Sequence, residues 1–151
     1  VLAEKLGLEK TVSLVKNDAN CGALGRVGYL PHKMEFEKFA QIVKEALGLS
    51  FVTGISAGKT VYKVALCGGA GIDFIAEALE QGADTYVTGD IKYHEAQNAV
   101  FSGLNLIDAT HPGTELPVVA VLADKLSLRL AAAGFAVHVL TARETLLFKQ
   151  Y

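Results

Sequence analysis

The sequence predicts an α/β domain, a mostly parallel sheet with helices packed on it. Short apolar runs alternate with amphipathic stretches as βαβαβαβ over residues 61–142. The helical stretches of that run close on Gly82, Gly103 and Gly134, and glycine readily takes the left-handed conformation that ends a helix. The connections between runs are short, which suits consecutive βα units. A loop-rich and helical segment precedes the run.

From the start of the chain, Leu2 to Leu8 reads as the end of a helix, with Gly7 near its C-terminus. Thr11 to Val15 is β-prone. Residues 17–31, NDANCGALGRVGYLP, read as loop, with GRVGYL as a candidate short strand. In the helix expected over Glu35 to Leu47, Phe36, Phe39, Ile42, Val43, Ala46 and Leu47 form one apolar stripe, and Gly48 stops it. Phe51 to Ile55 is an expected strand, and SAGKT a turn. Then VYKVALC (61–67), DTYVTGD (84–90), LNLIDAT (104–110) and FAVHVLTA (135–142) read as strands. Residues 72–82, 91–103 and Thr114 to Ala133 read as the helices between them. GGAG (68–71) is a tight loop.

Bulk properties narrow the function. The 151 residues suit one domain, read as a single α/β domain over 1–151, and about half are apolar. A net charge of −2 offers no basic excess for a nucleic acid backbone. Cys21 and Cys67 are far apart and lack metal-type spacing, which fits a reducing compartment and a cytoplasmic protein. No apolar run is long enough for a membrane-spanning helix. The chain opens at VLAEKLGL, without an initiator Met and already in helical register, so further residues are expected upstream.

In open α/β sheets the working groups gather at the carboxyl ends of the strands. Here those ends carry CGGAG, TGDIKYH and DATHPGTE. In HPGTE, Thr114 is expected to cap the following helix, with Glu115 in its first turn. His111, ahead of Pro112, is expected to be extended. Imidazole and carboxylate suit a divalent transition metal such as zinc, iron or manganese, but two ligands make only half a site. Asp90 can be a ligand, a partner that orients a histidine, or the cap of the next helix. His94, one turn into that helix, is a candidate general acid or base. Lys92 stands beside it. Gly68 and Gly69 open a strand-to-helix turn whose amides could cradle a phosphate, though the pattern is not a P-loop. Arg26, His32 and His138 are assigned no role, and Cys67 has no sequence neighbour that would activate it.

Three segments occur in a recognisable order: GALGRVGYLP, VALCGGAGIDFIAEALEQGADTYVTGDIKYHEA and GLNLIDATHPGTE. Over roughly residues 1–135 the chain resembles the C-terminal half of the Nif three-like dinuclear metal-centre family, whose members are known as type-two homologues of GTP cyclohydrolase I. TGDIKYHEA and the HxxxE of HPGTE are the most specific parts. The resemblance implies a two-domain protein of which this is the C-terminal part, a toroidal hexamer, and two metal ions per full-length subunit. It implies that His111 and Glu115 are metal ligands, completed by a histidine pair and an aspartate from the N-terminal half. It places Asp90 and His94 close to the metals, with Lys92, Gly68 and Gly69 as second-layer or substrate-binding positions. The chain has no His-His pair, ends in TARETLLFKQY where the family has an Asp-Pro-Phe-like stretch, and leaves no room at SAGKT for the inserted domain some members carry.

Two functions follow as expectations. One is metal-assisted hydrolysis of a nucleotide or phosphorylated small molecule, with His94 moving the proton. The other is a metal-loaded homo-oligomeric scaffold that acts through protein partners. No nucleic acid or membrane partner is expected.

Overall fold

The computed structural model describes residues 1–15 and 23–142. One six-stranded sheet organises them. Its strands are β1 (Glu9–Val12), β2 (Arg26–Met34), β3 (Thr53–Ile55), β4 (Val61–Leu66), β5 (Thr85–Thr88) and β6 (Asn105–Asp108). They lie side by side in the order β1-β2-β4-β5-β6-β3. Only β4–β5 and β5–β6 pair in parallel, whereas β1–β2, β2–β4 and β3–β6 are antiparallel. The sheet is therefore mixed and not mostly parallel. The regular repeat builds the parallel trio at its centre, and the irregular first third of the chain supplies the flanks by pairing antiparallel. Such additions are common in large sheets.

The central strands are buried on both faces, as parallel strands flanked by helices must be. Side chains alternate with the strand period of two. Val64, Leu66, Val87 and Ile107 face one way, with Leu6 of the chain start and Phe39 and Val43 of α2 (Phe36–Ala46). Ala65, Tyr86, Leu104 and Leu106 belong to the opposite cluster, with Ala78 of α3 (Ile75–Glu80) and Ala99 of α4 (Tyr93–Phe101). In chain order, α1 (Leu2–Lys5) precedes α2, and a single 3₁₀ turn (Ile72–Phe74) leads into α3. Each fully buried large side chain, such as Phe39 or Leu104, contributes about 1.5–3 kcal/mol by leaving water.

One buried polar group ties the flank to the centre. Asn105 is fully buried, accepts from the Ala57 amide at 2.8 Å, and donates to the Lys59 carbonyl at 2.9 Å and the Thr85 hydroxyl at 3.1 Å. It fixes the SAGKT turn against β6, so that the turn hands the chain from β3 to β4.

The C-terminal part departs from the sequence reading in two ways. The helix expected from Thr114 begins earlier, as α5 (His111–Glu115), and restarts as α6 (Pro117–Ala132). Pro117 has no amide hydrogen and interrupts the ladder at that point. Residues 135–142 form no strand: they pair with nothing in the sheet, and Phe135, Val137 and Leu140 are exposed. An alternating pattern permits a strand, but a strand exists only where an edge receives it. No residue of α6 is buried, although Leu122 and Leu128 lie on it. Among the described residues, no helix is long and apolar enough to cross a membrane.

Candidate functional site

The parallel trio ends in register, with Leu66 beside Val87 and Thr88 beside Asp108. The three loops that follow therefore emerge together. They bring Gly68 and Gly69, then Asp90, then His111 and Glu115, to one edge of the sheet.

Asp108 brackets two of these loops. One carboxylate oxygen accepts from the Thr110 amide at 2.8 Å, and the other from the Ile91 amide at 2.9 Å. The first contact is an Asp turn, in which a side chain replaces a backbone partner two residues on. Thr110 follows in the left-handed region, φ 61°, and its hydroxyl accepts from the Gly113 amide at 3.1 Å. Thr110 is thus the cap of α5. The cap expected at Thr114 lies one turn too late, and His111, expected to be extended, is the first helical residue. Glu115 consequently ends α5 instead of opening a helix. The shift matters because residues four apart share a helix face. His111 Nε2 and Glu115 Oε2 stand 3.2 Å apart.

The other imidazole nitrogen is held from the neighbouring loop. Asp90 Oδ2 lies 2.7 Å from His111 Nδ1. Asp90 also takes a left-handed conformation, φ 57°, a costly state for a residue with a side chain. It is not the cap of α4, a position taken by Lys92, whose amide donates to Glu95 at 3.1 Å. Hydrogen bonding to Asp90 raises the His111 imidazole above its ordinary value; partial desolvation opposes this and the Glu115 charge adds to it.

Gly69 lies beneath this pair, with φ 68°. Its amide donates to the Thr114 hydroxyl at 2.8 Å, and its carbonyl accepts from the Gly89 amide at 2.9 Å and the Thr88 hydroxyl at 3.1 Å. The Gly71 amide is taken by Thr88 at 2.9 Å. These internal bonds spend two of the amides a phosphate cradle would need. Gly68 packs against the Thr114 backbone, where an added Cβ would lie 3.3 Å from the carbonyl oxygen. Cys67 points the other way, into the core beside Tyr86, and burial pushes its thiol up.

Lys92 and His94 lie on the exposed side of α4. Lys92 pairs with Glu95 at 3.9 Å, and His94 meets the Tyr93 ring edge-on at 5.8 Å. Neither is hydrogen-bonded to Asp90, His111 or Glu115 among the described residues.

Among the described residues, no group of three or more His, Cys, Asp and Glu side chains converges as a metal site. The reason is local: Asp90 faces Nδ1, while Nε2 and the Glu115 carboxylate converge on the other side. The residues present thus fit part of a metal's donor set. A ring nitrogen and a carboxylate converge, half-exposed, and a carboxylate on the far nitrogen sets the ring's orientation. The sequence carries no signal for a role of Thr110 or Gly89 and points only to a cap at Thr114. Asp108 carried one signal, an Asp placed two residues before a turn.

The profile of the Duf34/NIF3 (NGG1p interacting factor 3) family matches residues 1–145. A Streptococcus pneumoniae protein named GTP cyclohydrolase 1 type 2 homolog is 33% identical over 147 residues, covering 93% of this chain and 54% of that protein. A Nostoc protein of the same name is 35% identical over 129 residues, covering 83% of this chain and 49% of its own length. The chain spans about half the length of these curated relatives. The crystal structure of a Bacillus cereus protein related to NIF3 superposes with a TM-score of 0.78 at 33% identity, covering 85% of this chain and 36% of that one.

Proposed function

The chain belongs to the Duf34/NIF3 family, and from that premise we propose that it carries the His111–Glu115 part of a divalent transition-metal site used for hydrolysis. One observation carries the reading: Nε2 of His111 and the Glu115 carboxylate converge at 3.2 Å while Asp90 holds the other ring nitrogen. A neutral imidazole whose Nδ1–H donates a hydrogen bond to a carboxylate presents the Nε2 lone pair to a metal. Zinc, iron or manganese suits such a mixed nitrogen and oxygen set. Two side chains do not close a site, so the remaining ligands come from outside the described residues. In the full-length protein, two ions per subunit and a hexameric assembly complete the proposal, and the cytoplasm is its proposed location.

When bound, a divalent ion supplies Lewis-acid polarisation and activates water. The chain's own residues do the rest. His111 and Glu115 bind, Asp90 orients His111, and the Gly69 loop forms the floor. His94 and Lys92, exposed at the start of α4, take the roles of proton carrier and anion contact. The relatives' names support a nucleotide or phosphorylated small molecule as substrate.

A second reading is a metal-loaded scaffold that acts through protein partners. It is favoured by the placement of His94, which is not hydrogen-bonded to the donor pair, and by the apolar residues exposed along α6.

Elemental analysis by plasma mass spectrometry, on the full-length protein and on its His111→Ala form, tests the site. Metal bound to the parent and lost in the variant is expected. Equal metal content in both would overturn it. A panel of nucleotides and phosphoesters, given to the metal-loaded full-length protein, separates the readings. Turnover lost with His111→Ala supports the hydrolase, and inactivity towards the whole panel supports the scaffold.

A further inference from the structure

Resting on that reading of His111 and Glu115, we infer that Gly69 is a positioning residue of the metal site: its bare backbone leaves room for the Glu115 carboxylate to stand beside His111 Nε2. A Cβ built on Gly69 would lie 2.6 Å from Glu115 Oε1, 3.3 Å from Glu115 Cδ and 3.2 Å from His111 Nε2. A methyl group there would crowd the Glu115 carboxylate and the His111 ring nitrogen at once.

The positive φ alone does not account for this glycine. Gly7 and Gly48 share its backbone conformation, with φ 67° and 66°, yet a Cβ on either would meet nothing within 4 Å. Gly69 is constrained twice, by conformation and by what stands over it.

The loop cannot retreat to make room. Thr114, itself buried, takes the Gly69 amide at 2.8 Å, and Gly89 and Thr88 hold the Gly69 carbonyl from β5 and its loop. Gly89 is in turn packed against the start of α5, where an added Cβ would lie 2.6 Å from the His111 amide nitrogen. Relief of a clash at position 69 therefore falls on the Glu115 carboxylate, the free end of a half-exposed side chain. That carboxylate would swing away from Nε2. The substitution removes the convergence of donors and spares the fold.

In the full-length protein, the test compares Gly69→Ala with Gly7→Ala and Gly48→Ala, which place a side chain at the same left-handed φ away from the site. Zinc and cobalt affinities are measured by competition with a chromophoric chelator, and thermal unfolding is followed on the same samples. All three variants are expected to lose a similar few degrees of Tm. Only Gly69→Ala is expected to lose affinity, by about tenfold or more, the range seen when groups around a metal site are disturbed. Gly69→Asn, which enters the left-handed region more easily, serves as a second probe if Gly69→Ala does not fold. Unchanged affinity at position 69, or an equal loss in Gly7→Ala, would overturn the inference. A full-length parent that binds neither ion removes the site reading and the inference together; binding that Gly69→Ala retains removes the inference alone.

Discussion

Asp90 Oδ2 meets His111 Nδ1 at 2.7 Å while the Asp90 backbone holds a left-handed φ of 57°. Contact and strain belong together, since the loop after β5 aims its carboxylate at the imidazole by accepting an unfavourable backbone state. At a pH above the His111 midpoint, where the ion pair no longer contributes, Asp90→Gly should relieve that strain and raise stability by about 1 kcal/mol, while metal affinity falls about 10- to 100-fold. Denaturant unfolding and chelator competition on one preparation check both signs. A variant that is both less stable and equally tight would refute the coupling.

The same contact predicts a titration. His111 in the metal-free chain should titrate above an ordinary histidine, because Asp90 favours its protonated form. A folded-state value raised above the unfolded one stabilises the fold below the unfolded value, and this contribution is lost as pH rises through the folded one. Proton NMR of the imidazole, in the parent and in Asp90→Asn, should show a lower midpoint in the variant. Identical midpoints would rule out Asp90 as the cause.

Asn105 makes a prediction about the fold alone. Asn105→Ala removes the buried partner of the Ala57 amide and the Lys59 carbonyl, a loss of about 0.5–1.5 kcal/mol for each hydrogen bond. The melting temperature should drop by several degrees with metal affinity unchanged, because the network lies on the SAGKT side of β6. A thermal melt matching the parent's would contradict it.

Cys67 should be inert in the native state. Burial pushes its thiol up, and at mildly alkaline pH it stays protonated. In a Cys21→Ser background, iodoacetamide should label Cys67 only after denaturant is added, as read by mass spectrometry. Rapid labelling of the folded chain would show that the thiol is exposed.

Much of the centre was legible in the sequence. The strands β4, β5 and β6 are apolar runs of strand length, and α2 has a clear stripe. Pairing direction was not legible: β2 was visible only as the GRVGYL stretch although it runs on to Met34, β3 has only three residues, and the partners of both are set by long-range packing. Residues 135–142 carry a strand's alternation but no pairing edge receives them. At the site, His111, Glu115 and Asp90 were identifiable by chemistry, and the loop ends by position. The helix start was misplaced by one turn because Thr110 and Thr114 are equally good caps by residue type. The left-handed backbone at Asp90 and Thr110 has no signature in side-chain chemistry.

The groups that would bind an ion and the groups that shape their geometry lie at very different distances along the chain. Glu115 is four residues from His111, but Asp90 is 21 residues from it, and Gly69 is 45 from Thr114. A growing or half-folded chain gains its donors as soon as one helical turn forms. Their orientation comes only after both crossovers of the parallel trio have closed. Ion capture should thus be loose early and tight late, which makes the tight state a reporter of completed folding.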